Sequence, residues 1–183
     1  MASRLLRLTA LIALFALLGP AACGDDDGES ASTKTGEEQT ETAEPSPSEQ
    51  REALKDTSKR PVIPRPSGSP PRRLEKEDLV RGKGPRAKTG DTLTVHYSGV
   101  AFSTGEEFDS SWNSGEPYRF AVGQGRVIQG WDKGLVGMKR GGRRMLTIPP
   151  ELAYGAAGSP PAIGPNETLV FVVDLLAIAP KQG

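Results

Sequence analysis

The sequence is poor in the residue types on which many catalytic centres depend. Its 183 residues include one cysteine, Cys23, and one histidine, His96. A disulfide framework, a metal site built from several cysteines or histidines, and a cysteine–histidine catalytic pair are therefore not expected. The sequence also lacks the nucleophile-elbow motif of hydrolases and the phosphate-binding P-loop motif. We expect neither a metal nor a cofactor.

The chain has no excess of charge of either sign and few aromatic residues. Lys+Arg and Asp+Glu both number 23, so bulk charge does not favour nucleic-acid binding. Hydrophobic residues make up 36% and aromatic residues 5%, which is low for one globular body of this length. Nine of the ten aromatic residues lie between positions 97 and 171. One packed domain therefore shares the chain with a part that is unable to form a core.

The first 22 residues have the pattern of an export signal. Arg4 and Arg7 precede an apolar run over residues 8–18, which is too short to cross a bilayer. The sole cysteine then follows two alanines, and this junction resembles a bacterial lipobox, although Pro20 stands where an aliphatic residue is usual. We predict a lipoprotein-type signal peptide over residues 1–22 and a lipid anchor on Cys23. The alternative is an ordinary cleaved signal and a secreted or periplasmic protein.

Residues 23–73 are predicted to form a tether without stable structure. From residue 24 onward this segment contains no aromatic residue, and Ser, Thr, Glu, Asp and Pro dominate it. Such a composition does not offset the entropy that ordering would cost. Residues 24–60 hold eleven acidic and five basic groups, and seven prolines stiffen the later part of the segment. We expect this segment to be a flexible linker that holds the folded domain away from a membrane surface.

Residues 74–183 have the size of a single folded domain. Alternating apolar and polar residues predict a half-buried strand over residues 92–97. Further strands are predicted over residues 144–148 and 169–178, and the last is nearly all apolar and therefore central. Residues 127–135 place apolar side chains at helical spacing. This order of elements predicts an α+β fold with an antiparallel sheet.

Two groups of polar residues are interpreted as surface features. His96 lies on the polar face of its predicted strand, which leaves a hydrolase without a catalytic base. A basic turn is predicted to be a solvated hairpin, with contact to anionic lipid as the alternative. Its basic residues are Lys139, Arg140, Arg143 and Arg144.

Aromatic residues are concentrated on elements that we expect to face one another. Seven of them predict a lined cavity, whereas composition alone is equally compatible with a plain aromatic core. They are Tyr97, Phe108, Tyr118, Phe120, Trp131, Tyr154 and Phe171.

Five short motifs together resemble the FKBP-type peptidyl-prolyl cis-trans isomerases. The resemblance covers about residues 74–179 and implies an antiparallel sheet of about five strands, wrapped around one short helix, with a hydrophobic pocket between them. It also implies proline-containing polypeptides as substrates and macrolides as candidate ligands. The motifs are VHYSG at residues 95–99, GEEFDSS at 105–111, VIQGW at 127–131, LAYG at 152–155 and LVFVVDL at 169–175.

The resemblance implies a floor and walls for this pocket. Trp131 would form the floor beneath the proline ring of the substrate. Asp109 would lie at the pocket edge, within reach of a tyrosine of the wall. The expected wall residues are Tyr97, Phe108, Tyr118, Phe120 and Phe171.

The resemblance also implies polar contacts at the entrance. Val127 and Ile128 would line it, and the backbone N–H of Ile128 would bind a substrate carbonyl. The hydroxyl of Tyr154 would bind another carbonyl, and Ile163 would close one side.

Three positions differ from the best-known pattern of the family. Ser114 replaces an arginine that pairs with the pocket aspartate, Ser159 replaces a frequent histidine, and Tyr118 replaces a frequent phenylalanine. These differences bear on substrate preference and macrolide affinity more than on the activity itself.

The sequence therefore predicts a lipid-anchored, extracytoplasmic isomerase that assists the folding of exported proteins. Its partners would be unfolded or folding proline-containing polypeptides and, through the anchor, a membrane. Nucleic acid is not an expected partner, and the chain is expected to be a monomer. The alternative function is a non-catalytic chaperone or binding module that uses the same pocket.

Overall fold

Six β-strands form one antiparallel sheet in the computed structural model, which describes residues 45–181. The order of neighbouring strands is β1-β5-β6-β2-β3, and the short β4 also pairs with β2. The strands are β1 (Glu75–Val80), β2 (Thr92–Ala101), β3 (Glu107–Ser110), β4 (Tyr118–Ala121), β5 (Arg143–Ile148) and β6 (Leu169–Ala179).

Two short α-helices accompany the sheet, α1 (Pro47–Ala53) and α2 (Gln129–Leu135). Single 3₁₀ turns follow β5 at Pro150–Leu152 and Gly155–Ala157. No helix among residues 45–181 is long and apolar enough to span a membrane. The predicted signal peptide, Cys23 and tether residues 24–44 lie outside the described residues.

The predicted α+β class and antiparallel sheet are confirmed. The sheet has six strands, against about five expected, because the four-residue strands β3 and β4 are both present beside β2. The long apolar strand β6 is central, as predicted, and pairs with both β5 and β2. Its residues 169–175 are all buried, which requires that both faces of the sheet are covered there.

Helix α2 covers one face of the sheet and approaches it very closely. A Cβ atom added to Gly130 would lie 2.4 Å from a side-chain carbon of Ile148, and one added to Gly134 would lie 2.8 Å from Leu146. These two glycines therefore let the helix backbone pack directly on β5. The helix begins at Gln129, two residues later than predicted, because Ile128 has a non-helical backbone and precedes the first turn.

The other face of the sheet is covered by residues 45–63, which we call the arm. Its helix α1 begins with a capping box, in which the Glu49 carboxylate accepts from the backbone N–H of Ser46 at 2.7 Å. Leu54 is 3% exposed and clusters with Leu79 and Val172 of the sheet. The prediction of a tether without structure is therefore wrong for the arm, which forms one compact unit with the following domain.

Arg143, the first residue of β5, holds the arm in place. Its side chain is fully buried and forms an ion pair of 2.6 Å with Asp174 of β6. The same guanidinium donates to the backbone carbonyls of Leu54 and Asp56, each at 2.9 Å, and of Lys59 at 2.8 Å. A segment with few apolar residues is thus ordered by hydrogen bonds to its carbonyl groups.

The predicted solvated hairpin is wrong for both of its strand arginines. Arg143 is buried against the arm, and Arg144 donates to Asp78 at 2.6 Å and to the carbonyl oxygen of Gly134 at 2.7 Å. Buried guanidinium groups need several acceptors, and these arginines find them on other elements of the fold, which the pattern of the turn alone does not show.

Candidate active site

A cavity of about 200 Å³ lies at the N-terminal end of α2, between the helix and the sheet. Strands β2, β3, β4 and β6 contribute aromatic side chains to it, and the loops before α2 and after β5 complete its rim. The structure therefore brings together aromatic residues that are up to 74 positions apart in the chain, from 97 to 171. The cavity is lined by Tyr97, Phe108, Asp109, Tyr118, Arg126, Val127, Ile128, Trp131, Tyr154 and Phe171.

Trp131 occupies the centre of the aromatic group and is only 4% exposed. Its ring meets Tyr97 at a centroid distance of 5.0 Å and Phe171 at 5.3 Å, both nearly perpendicular. Phe108 in turn meets Phe171 edge to face at 5.4 Å. Such edge-to-face contacts are favourable between aromatic rings and hold each ring in one orientation. The cavity therefore has a stiff apolar interior.

A hydrogen bond between Tyr97 and Asp109 closes one edge of the cavity. The Tyr97 hydroxyl donates to the carboxylate at 2.6 Å. Burial, and next the Asp109 carboxylate, raises the pKa of the Tyr97 hydroxyl above its ordinary value. The hydroxyl therefore keeps its proton and remains a donor at neutral pH. Among the described residues, no other group donates a hydrogen bond to the Asp109 carboxylate.

The rim of the cavity offers donors that have no hydrogen-bond partner among residues 45–181. The Ile128 N–H makes no hydrogen bond to another described residue, and the Tyr154 hydroxyl is also without one. Tyr154 is 42% exposed, and burial raises the pKa of its hydroxyl, with the Asp109 charge as the next cause. Both groups are therefore able to donate to carbonyl oxygens of a bound peptide.

Asp132 of α2 fixes the loop that carries part of this rim. Its carboxylate accepts from the backbone N–H of Gly123 at 2.7 Å and of Gly125 at 2.8 Å. The role of Asp132 was not predicted from the sequence, because its partners are backbone groups in a loop. A carboxylate shortly after two glycines, at the start of a helix, was the available signal.

Two of the predicted pocket residues do not line the cavity. Phe120 is buried behind the wall, stacked on Tyr118 at 5.5 Å, and Ile163 is buried in the core. Phe120 thus supports a wall residue, and Ile163 does not close a side. Sequence reasoning also missed Arg126, which lines the rim directly before Val127.

His96 points away from the cavity, and it is half-buried rather than at an open surface. Its Nδ1 atom lies 2.9 Å from the Ser111 hydroxyl, and its ring stacks on Trp112 at a centroid distance of 4.3 Å. The turn after β3, which contains Ser111 and Trp112, covers the polar side of β2. The alternation of residues in β2 gave no indication of this cover.

Comparisons with known proteins agree with this geometry. The family described as FKBP-type peptidyl-prolyl cis-trans isomerase matches residues 84–176. An FK506-binding protein of Streptomyces anulatus is 55% identical over 120 residues, which are 65% of this chain and 97% of the relative. An FK506-binding protein of Neisseria meningitidis is 48% identical over 102 residues, covering 56% and 93% of the two chains.

A solved structure shares both the fold and much of the sequence. The crystal structure of AtFKBP13 is 40% identical, with a TM-score of 0.55, over 58% of this chain and 93% of its own. The family match holds strands β2 to β5, most of β6, helix α2 and the aromatic cavity, whereas strand β1 and the arm lie outside it. The chain therefore belongs to the family of FKBP-type peptidyl-prolyl cis-trans isomerases.

Proposed function

We propose that the chain isomerises X-Pro bonds of exported polypeptides at the extracytoplasmic face of a membrane. The aromatic cavity and its free donors support the catalytic part of this proposal. The export pattern of residues 1–22 and the cysteine that follows support the cellular part. The substrates would be proline-containing polypeptides that are unfolded or still folding, and the chain would act as a monomer.

The reaction needs neither a nucleophile nor a metal. Rotation about the peptide bond is slow because amide resonance sets a barrier of about 18–20 kcal/mol, although cis and trans X-Pro forms differ little in energy. No covalent bond breaks during the rotation. A cavity accelerates it by binding the twisted amide better than the planar one.

An apolar cavity discriminates between these two states. The planar amide has a charge-separated resonance form that water stabilises, and the twisted amide has lost it. Transfer of the bond from water to the aromatic interior around Trp131 therefore costs the planar state more free energy than the twisted state. The interior supplies this environment without any ionised group on its floor.

The donors at the rim orient the peptide around the rotating bond. The Ile128 N–H and the Tyr154 hydroxyl would bind carbonyl groups that flank the proline. Peptide segments held on both sides keep the rotating bond over the cavity, which reduces the entropy lost on reaching the transition state. Tyr97, held by Asp109, keeps the wall beside the bond in a fixed orientation.

Cis-to-trans relaxation of a proline-containing peptide tests the catalytic part. The purified full chain is expected to shorten a relaxation that takes tens to hundreds of seconds without catalyst. Peptide binding is measured in parallel. An unchanged relaxation rate with retained binding would instead identify the non-catalytic binding module, and the loss of both would leave the cavity without a peptide function.

The names of the relatives suggest a ligand for the same cavity. They are described as FK506-binding proteins, and we expect a macrolide of this kind to compete with peptide here. Ser114 and Ser159, which differ from the best-known pattern, are expected to affect its affinity.

Replacement of Cys23 by serine tests the cellular part. Serine provides no thiol for a thioether-linked lipid, so Cys23→Ser is expected to move the protein from the membrane fraction to the soluble extracytoplasmic fraction. Lipid labelling of the unchanged chain provides the control. If that chain carries no lipid and both proteins fractionate alike, the lipid anchor is wrong.

A further inference from the structure

The arm reaches the cavity wall through a single arginine, Arg60. The carbonyl of the preceding residue, Lys59, accepts a hydrogen bond of 2.8 Å from the buried Arg143. The backbone beside Arg60 is thereby attached to the buried ion pair of Arg143 and Asp174 in the neighbouring strands β5 and β6. The backbone that carries the Arg60 side chain is therefore fixed, although the side chain itself lies at the surface.

The guanidinium of Arg60 binds both ends of one segment of the wall. It donates to a carboxylate oxygen of Glu107 at 2.7 Å and to the Asn113 side-chain oxygen at 3.0 Å. Glu107 begins β3, and Asn113 lies in the turn that follows this strand. A planar guanidinium with two separate acceptors fixes their spacing, which a single point charge does not.

Residues 107–113, which we call the wall segment, carry two cavity residues between these attachment points. Phe108 packs edge to face on Phe171, and Asp109 accepts from Tyr97. Ser114, just beyond the wall segment, binds the carbonyl of Ser111 and makes no hydrogen bond to Asp109. Among the described residues, Arg60 is the one cation that forms an ion pair with the wall segment.

We propose that Arg60 is a positioning residue of the peptide site, acting from the arm through Glu107 and Asn113. The proposal rests on the proposed function, since it assigns the arm a part in substrate binding. Arg60 touches no substrate. It limits movement of the wall segment, so that Phe108 and Asp109 remain at the distance from Phe171 and Tyr97 that the cavity requires.

Arg60→Ala is expected to raise KM for a proline peptide about three- to fivefold and to leave kcat within about twofold. The ion pair is partly exposed, with side-chain exposures of 42% and 30%, and such pairs contribute modestly. The wall binds the peptide, whereas the floor and rim donors are untouched, so the effect falls on KM. The thermal midpoint should stay within about 3 °C.

Two substitutions test whether the contact with Glu107 is responsible. Glu107→Gln removes the charge and keeps an acceptor, so it should reproduce part of the effect of Arg60→Ala. In the double variant it should add little to Arg60→Ala, because the ion pair is already lost. Arg60→Lys should give an intermediate KM, since an ammonium does not reproduce the fork geometry. Additive effects of the two substitutions would overturn the pairing.

Arg51→Ala is the matched control. Arg51 lies on the same arm and pairs with Glu77 of β1, away from the wall segment. Its loss should leave KM unchanged. An equal rise of KM in both variants would overturn the specific role of Arg60 and indicate a general effect of loosening the arm.

Amide hydrogen exchange provides a measurement that does not depend on activity. Arg60→Ala should speed exchange in residues 107–113 and not in β5. Should the unchanged chain prove inactive, the proposed function fails, while exchange and peptide affinity still decide the role of Arg60. Unchanged exchange, or faster exchange with unchanged KM and peptide affinity, would overturn the proposal.

Discussion

Replacement of Arg143 by alanine is expected to lower the free energy of unfolding by about 3–5 kcal/mol. The substitution leaves the buried carboxylate of Asp174 without its cation. It also removes the shared donor of three arm carbonyls, those of residues 54, 56 and 59. Because small domains have total stabilities of about 5–15 kcal/mol, this is a large share. Chemical denaturation followed by circular dichroism measures it.

Arg140→Ala is the matched control for this prediction. Arg140 lies three residues earlier in the same basic turn and is exposed, so its loss should change stability by less than about 0.5 kcal/mol. Arg143→Ala should also make the arm sensitive to proteases at concentrations that leave the unchanged chain intact. A loss of stability below about 1 kcal/mol, with a protected arm, would contradict the role assigned to Arg143.

Replacement of Trp131 by alanine is expected to reduce kcat/KM by about 100-fold, which corresponds to ~2.7 kcal/mol of transition-state stabilisation. The substitution removes the floor of the cavity and the ring against which Tyr97 and Phe171 pack. Water then enters the space beside the prolyl bond and stabilises the planar amide. Cis-to-trans relaxation measures the effect.

A loss of folded protein would also lower the measured activity of the Trp131→Ala variant. Trp131→Ala also creates a cavity, for which about 3–5 kcal/mol of destabilisation is typical. Met138→Ala is the matched control, because Met138 is buried in the same core and does not line the cavity. It should lose stability and keep kcat/KM. Trp131→Phe, which retains an aromatic floor, should lose about tenfold; full activity in both Trp131 variants would contradict the mechanism.

The fold was predictable wherever local pattern and burial coincide. The alternation around Leu93 and Val95 predicted β2, and both side chains are fully buried. The apolar run at residues 169–178 predicted a central strand, and β6 pairs on both sides. The four-residue strands β3 and β4 were not predicted, because such short segments carry little periodic signal and form through their pairing with β2.

Most residues of the candidate site were predictable from the sequence, whereas the side chains that line the cavity were harder to separate from those buried behind it. Trp131, Tyr97 and Phe171 come together in one cavity, as the family resemblance implied. Phe120 and Ile163 lie behind it, since the side on which a ring is buried depends on how neighbouring elements pack. Asp132 was missed because it acts through backbone N–H groups, whose positions a sequence does not contain.

By itself the sequence determined that nearly all the aromatic residues belong to one packed domain, although the composition of the whole chain is low in them, and that the chain contains one cysteine and one histidine. It also carried the motifs of the family. Only the tertiary structure decided where that domain begins. The composition of a segment indicates how much apolar surface it is able to bury, and by that measure the arm should be unstructured. The arm is instead held by the buried guanidinium of Arg143, which binds backbone carbonyls more than eighty residues earlier in the chain.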